Sequence, residues 1–133
     1  MRPIQIIEID QPSKSKAFIE LPWSIYAGNP NWVPPLRLQV QDMLNTEKHP
    51  FYQTHDLKGW MAYDNGKAVG RIVGIFPKSG SKIAKFGFYE ATHNADAADA
   101  LFDVVFAEAK RRGFEKIEGP HNPSANYECA FLV

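Results

Sequence analysis

The side chains best able to bind a ligand or move protons are concentrated near the C-terminus, in Gly119-Pro120-His121-Asn122-Pro123-Ser124-Ala125-Asn126-Tyr127-Glu128-Cys129. This stretch follows residues 115–118, which read as a short strand, and in an open α/β sheet ligands collect beyond the carboxyl ends of strands. His121, Asn122, Ser124 and Asn126 are therefore the candidates for substrate binding. Tyr127 and Glu128 are the candidate catalytic acid or base toward a reacting amine, because a phenol and a carboxyl exchange protons once their surroundings tune them. The same segment also reads as a surface loop held by Asx turns from Asn122 and Asn126, with Tyr127 packing as an amphipathic aromatic and Glu128 facing water. His121, Ser124 and Glu128 have the residue types of a hydrolytic triad, but the Gly-x-Ser-x-Gly elbow that would expose the serine is absent. Cys129 opens the apolar Cys129-Ala130-Phe131-Leu132-Val133 and reads as a small buried hydrophobe.

Metal chemistry has little to draw on. The single cysteine allows neither an intrachain disulfide nor a cysteine zinc cage, and His49, His55, His93 and His121 lack metal-ligand spacing, so no metal is expected. Lys and Arg total 15 against 15 Asp and Glu, and the balance holds along the chain, which argues against nucleic acid or an anionic membrane as partner. No stretch has the length and apolarity of a signal peptide or a membrane span, so the expectation is a cytoplasmic protein in a reducing compartment. At 133 residues the chain is expected to form one domain, residues 1–133.

The elements that must position these residues are legible in part. Residues 4–9, between Pro3 and Pro12, suit an opening strand. Ser13 is expected to cap a helix from Lys14 to near Gly28, bent at Pro22. An extended loop follows, Gly28-Asn29-Pro30-Asn31-Trp32-Val33-Pro34-Pro35. From Leu36 to about Asn45 the apolar Leu36, Val40 and Leu44 then recur at helical spacing, and Lys48-His49-Pro50 follows as the end of that element. Asn65-Gly66 between two strand-like runs, 58–64 and 67–76, is the preferred type I′ hairpin turn. Residues 83–90 make a third strand of the meander. Residues 96–112 are the clearest helix: Ala98, Leu101, Phe102, Val105 and Ala109 fall on one face, Lys110-Arg111-Arg112 closes the last turn and Gly113 ends it. With 115–118 as a strand, the right-handed crossover rule places it parallel to 83–90. Trp23, Tyr26, Trp32, Phe51, Tyr52 and Trp60 either line an apolar pocket or are simply core.

The expected class is thus α+β, a mixed α/β sheet of order β-α-α-β-β-β-α-β, with an antiparallel meander and a right-handed β-α-β crossover. That order resembles the first two thirds of the GNAT superfamily, the acyl-CoA-dependent N-acyltransferases. The resemblance is carried by Leu21-Pro22-Trp23, Asn29-Pro30-Asn31-Trp32-Val33-Pro34-Pro35-Leu36, His49-Pro50-Phe51, Asn65-Gly66, Val69-Gly70-Arg71-Ile72, Phe86-Gly87-Phe88-Tyr89-Glu90 and Gly119-Pro120-His121-Asn122-Pro123-Ser124. Together these are similar to the N-terminal portion of a GNAT-like bacterial family of largely uncharacterised, longer proteins, so the C-terminal elements of the fold are expected to be missing.

The resemblance implies acyl-CoA or acetyl-CoA as a substrate, its pantetheine lying between two splayed parallel strands. Phe88, Tyr89, Glu90, Thr92, His93 and Asn94 are the cofactor-binding positions it implies. The family's Gln/Arg-x-x-Gly-x-Gly/Ala phosphate loop is replaced here by Ala91-Thr92-His93-Asn94-Ala95-Asp96-Ala97-Ala98-Asp99, with neither glycine nor arginine. Thr92 or Asn94 can cap the helix and occupy the amides that a phosphate would use. A carboxylate about 4 Å from a phosphate charge repels it by ~1 kcal/mol in water and ~4 kcal/mol at an effective dielectric near 20. The expectation is therefore a GNAT-like domain with a degraded pyrophosphate loop and weak or no acetyltransferase activity alone. The alternative is a non-catalytic small-molecule-binding or interaction domain on the same scaffold. A homodimer, formed through the C-terminal segment or the exposed sheet edge beside 115–118, is the expected assembly.

Overall fold

A computed structural model of the chain describes residues 4–92 and 94–121. Its order is β1 (Gln5–Ile9), α1 (Lys16–Ile25), α2 (Arg37–Leu44), β2 (His55–Asp64), β3 (Lys67–Pro77), β4 (Ile83–Ala91), α3 (Ala95–Arg111) and β5 (Lys116–Glu118), with short 3-10 turns at Pro12–Lys14 and Pro50–Gln53. The strands form one sheet of order β1-β2-β3-β4-β5. The first four pair antiparallel, and β5 runs parallel to β4 with Ile83 opposite Lys116, Ala84 opposite Ile117 and Lys85 opposite Glu118. The expected meander and the parallel partner after the long helix are both present.

The β2–β3 hairpin turns at Asn65 and Gly66, with φ of 52° and 81°, the left-handed pair that a type I′ turn needs. Beyond the turn every residue from Val69 to Phe76 is buried. A run without alternation marks a strand covered on both faces. Trp60, Ala62, Ile72 and Phe76 pack under Ala97, Leu101, Val105 and Ala109 of α3 on one face. Met61, Val73 and Ile75 pack against Phe18, Ile19 and Leu21 of α1 and Val40 and Leu44 of α2 on the other. Gly74 admits α3 closely, since a Cβ there would lie 3.0 Å from Val105 Cγ2.

Several boundaries differ from the sequence-based expectation. Ser15, not Ser13, caps α1, accepting from the Phe18 amide at 3.2 Å, because Pro12 opens a separate 3-10 turn through Lys14. The helix ends at Ile25, short of Gly28. Helix α2, Arg37–Leu44, falls within its expected span, whereas β2 begins at His55 rather than Lys58. On α3 three of the five expected positions, Leu101, Val105 and Ala109, are buried, and Ala97 rather than Ala98 joins them. Phe102 instead meets the rings of Phe86 and Tyr89 on β4.

Candidate functional site

The most distinctive place in the fold is the carboxyl end of β4. Strand β5 pairs with β4 over three rungs, from Ile83 to Lys85, and its last rung is reinforced by the Lys85–Glu118 ion pair. The chain then leaves the sheet, with the His121 amide donating to the Phe86 carbonyl at 2.8 Å. Gly119 makes this approach, and a Cβ there would lie 2.4 Å from the Phe86 carbonyl oxygen. Strand β4 continues to Ala91. Among the described residues no strand pairs with its outer edge beyond Lys85, and this is the end where open sheets carry their ligands.

Strand β4 is also irregular there. On its inner edge Arg71 pairs with Glu90 and Val73 with Gly87, so the ladder gains one residue between these rungs. This is a β-bulge, and Phe88 within it has φ +49°, a conformation that bulky side chains rarely adopt. The extra residue switches the faces. Phe86 lies on the α3 side, its ring 5.3 Å from that of Phe102, whereas Phe88 packs into the α1 and α2 core. Tyr89 again faces α3, 4.8 Å from Phe102, and Glu90 points toward α1. In an unbulged strand residues 86, 88 and 90 would share one face.

Glu90 is held from α1. The Tyr26 hydroxyl donates to its Oε2 at 2.5 Å. Burial, then the bond to Glu90, pushes the Tyr26 phenol well above its ordinary range. Tyr26 stacks on Trp32 at 5.2 Å, Trp32 meets Trp23 edge-on at 5.5 Å, and the Arg37 guanidinium covers the Trp23 ring at 4.0 Å. Arg37 is itself clamped by both Glu20 oxygens at 2.8 and 3.0 Å. This aromatic chain ties the proline-rich loop to β4. It exposes Val33, Leu36 and Leu38 at 85%, 67% and 74%. The six aromatics first read as one group are therefore split: Trp23, Tyr26 and Trp32 form this stack, Phe51 and Tyr52 lie together with His55, and Trp60 is core beneath α3.

At the start of α3 the Asn94 side chain accepts from the Ala97 amide at 3.1 Å and also reaches Asp64 at 3.4 Å. One of the free amides of this helix end is thus taken by the protein's own cap, with Asp96 in the first turn. Thr92 spends its amide on the Val69 carbonyl at 2.9 Å. His121 lies beside Lys85 and Glu118, and burial followed by the Lys85 charge holds its imidazole below the usual histidine range.

Of the sequence-based candidates, the structure gathers Phe88, Tyr89, Glu90, Thr92 and Asn94 around the end of β4, with His121 beside Phe86 just past the last β4–β5 rung. His93, Asn122, Ser124, Asn126, Tyr127, Glu128 and Cys129 lie outside the described residues. Among the described residues no three His, Cys, Asp or Glu side chains form a metal-binding group, and no helix is long and apolar enough to cross a membrane. Sequence reasoning missed Tyr26 as a partner of Glu90 and missed that Arg71 is buried and donates to the Phe18 and Phe88 carbonyls. The available signal for Arg71 was a lone guanidinium inside the apolar run from Val69 to Phe76.

Comparison with known proteins agrees with this architecture. An acetyltransferase of the GNAT family from Staphylococcus aureus Mu50 superposes with a TM-score of 0.62 at 21% identity, over 88% of this chain and 72% of that one. An aminoglycoside N-acetyltransferase in complex with CoA superposes with a TM-score of 0.57 at 11% identity, over 100% and 93%. The chain has the fold of the GNAT acyl-CoA N-acyltransferases. In sequence it is 32% identical to Protein YghO of Escherichia coli K12 over 89% of this chain, and 29% identical to the bacterial ceramide synthase of Caulobacter vibrioides over 98%. It spans about a third of the length of these relatives, 31% and 35% respectively. No family model matches the chain.

Proposed function

We propose that this chain provides the acyl-CoA cleft of an N-acyltransferase that forms the amide of a long-chain amine, and that by itself it transfers acyl groups weakly or not at all. The observation that carries this reading is that, among the described residues, β5 pairs with β4 over three rungs only while a bulged β4 runs on to Ala91. A pantetheine arm carries amides and can lie along such a strand edge as a surrogate strand. The outer edge of β4 at Gly87, where no side chain crowds the approach, is the position for it.

The phosphate end fits less well. The Asn94 cap occupies the Ala97 amide, and Asp96 and Asp99 add negative charge where a pyrophosphate would sit. Binding would rest on the pantetheine, and this supports the reading of a degraded pyrophosphate loop. The long-chain acceptor is supported by the ceramide synthase relative, since a ceramide is a fatty amide of a long-chain amine, and by the exposed apolar residues Val33, Leu36 and Leu38 beside the Tyr26 stack. Glu90, turned toward α1, supplies a carboxylate to receive the amine.

Calorimetric titration with acetyl-CoA and with acetyl-pantetheine tests this. The expected result is binding of both, with affinities within about tenfold. No heat from either at millimolar concentration would remove the acyl-CoA reading. Little or no turnover by this chain is expected on either reading, so sphinganine is titrated as well: binding of sphinganine to the acetyl-CoA-loaded chain favours the acyltransferase cleft, and binding of acetyl-CoA alone favours a non-catalytic binding module on the same scaffold.

A further inference from the structure

We propose that Arg71 is the positioning residue of this cleft: it links the Phe18 carbonyl, which Pro22 leaves without a helical donor, to the Phe88 carbonyl at the β4 bulge. Pro22 of α1 thereby sets the shape of the cleft edge. The consequence for ligand binding rests on the acyl-CoA reading, whereas the link itself does not.

The argument begins in α1. Pro22 lies inside the helix and has no N–H, so the Phe18 carbonyl four residues earlier loses its regular partner. Phe18 is completely buried, and water cannot replace that partner. The donor comes from the sheet instead: an Arg71 terminal nitrogen donates to the Phe18 carbonyl at 2.6 Å. The Nε of the same guanidinium donates to the Phe88 carbonyl at 3.0 Å. Because the guanidinium is planar and its donors are fixed in direction, these two bonds set where the two carbonyls lie relative to each other.

The arrangement explains an otherwise costly conformation. A phenylalanine at φ +49° persists where its surroundings over-determine it. Arg71 grips Phe88 through its side chain while pairing with Glu90 in the ladder, so one residue spans the bulge from both ends. The rings of Phe18 and Phe88, 5.0 and 6.0 Å from the guanidinium, seal it, and Arg71 is only 5% exposed. The stripe Phe18, Pro22, Tyr26 recurs every four residues on α1, and its two ends hold the register partners Arg71 and Glu90. Losing Arg71 would release the bulge, and with it the face switch that turns Glu90 toward α1.

R71M and R71K decide this, each read by acetyl-CoA calorimetry and, in ligand-free protein, by the φ-sensitive scalar coupling of Phe88. In R71M the coupling should report a negative φ, and acetyl-CoA affinity should fall at least tenfold. R71K can reach one carbonyl but not both, and should lose affinity partially, which keeps the test open if R71M does not fold. Folded variants that retain the wild-type coupling and affinity would overturn the proposal. If wild-type protein does not bind acetyl-CoA, the acyl-CoA reading fails while the Phe88 coupling still decides the link. In P22A the Phe18 carbonyl regains a helical donor, so R71M should lower the thermal midpoint less there than in wild type. Equal losses would break the connection to Pro22.

Discussion

The hydroxyl of Tyr26 donates to the carboxylate of Glu90 across 64 residues of sequence, joining the C-terminal end of α1 to the last turn-out of β4. It brings a phenol and a carboxylate together at the carboxyl end of β4. Its protonation is linked to stability. Burial and the Glu90 bond raise the folded-state phenol above its ordinary value of 10.0, so the stability it contributes is complete below pH 10 and is lost as pH rises toward the folded value. Y26F should cost about 1–2 kcal/mol at neutral pH. Denaturant midpoints should fall above pH 10 in wild type and less in Y26F; parallel curves would contradict the linkage.

His121 titrates in the opposite sense. Burial and Lys85 depress its imidazole below 6.5, so its contribution is complete above that pH and is lost as pH falls through the folded value. Its ring-proton NMR titration should have a midpoint below 6.5, and a midpoint at or above that value would contradict the burial.

Gly74 marks the contact between the sheet and α3. In G74A the new Cβ would lie 2.5 Å from the Phe76 ring and 3.0 Å from Val105 Cγ2. Overpacking of this kind costs about 1–3 kcal/mol, and urea denaturation should read it. An unchanged midpoint would show that α3 moves away freely.

The start of α3 can be re-equipped for phosphate. The triple variant Asn94→Gly, Asp96→Asn, Asp99→Asn removes the side chain that occupies the Ala97 amide and two negative charges. Exchanging the cap for glycine costs a few tenths of a kcal/mol. Acetyl-CoA affinity should rise about tenfold while that for acetyl-pantetheine stays constant. A parallel gain for both ligands would place the effect away from the phosphates.

Local chemistry by itself determined most of the scaffold. Asn65-Gly66 specified the hairpin because positive φ is cheap for both residues, and the apolar spacing, basic last turn and terminal Gly113 specified α3. The parallel placement of β5 followed from the crossover helix between it and β4. On α3 the periodicity located the helix and most of its buried face, with Phe102 packed against that core and against the Phe86 and Tyr89 rings of β4.

The site itself was decided by tertiary structure. One inserted residue near Phe88 reverses which face Glu90 occupies, and nothing in Phe86-Gly87-Phe88-Tyr89-Glu90 announces it. Tyr26 looked like one aromatic among six until the packing of α1 on β3 and β4 set it against Glu90. Propensity and periodicity act over a few neighbouring residues, so they are written in the local sequence. The pairs Tyr26–Glu90 and Arg71–Phe18 depend on strand register and helix seating, which exist only once the whole sheet is assembled.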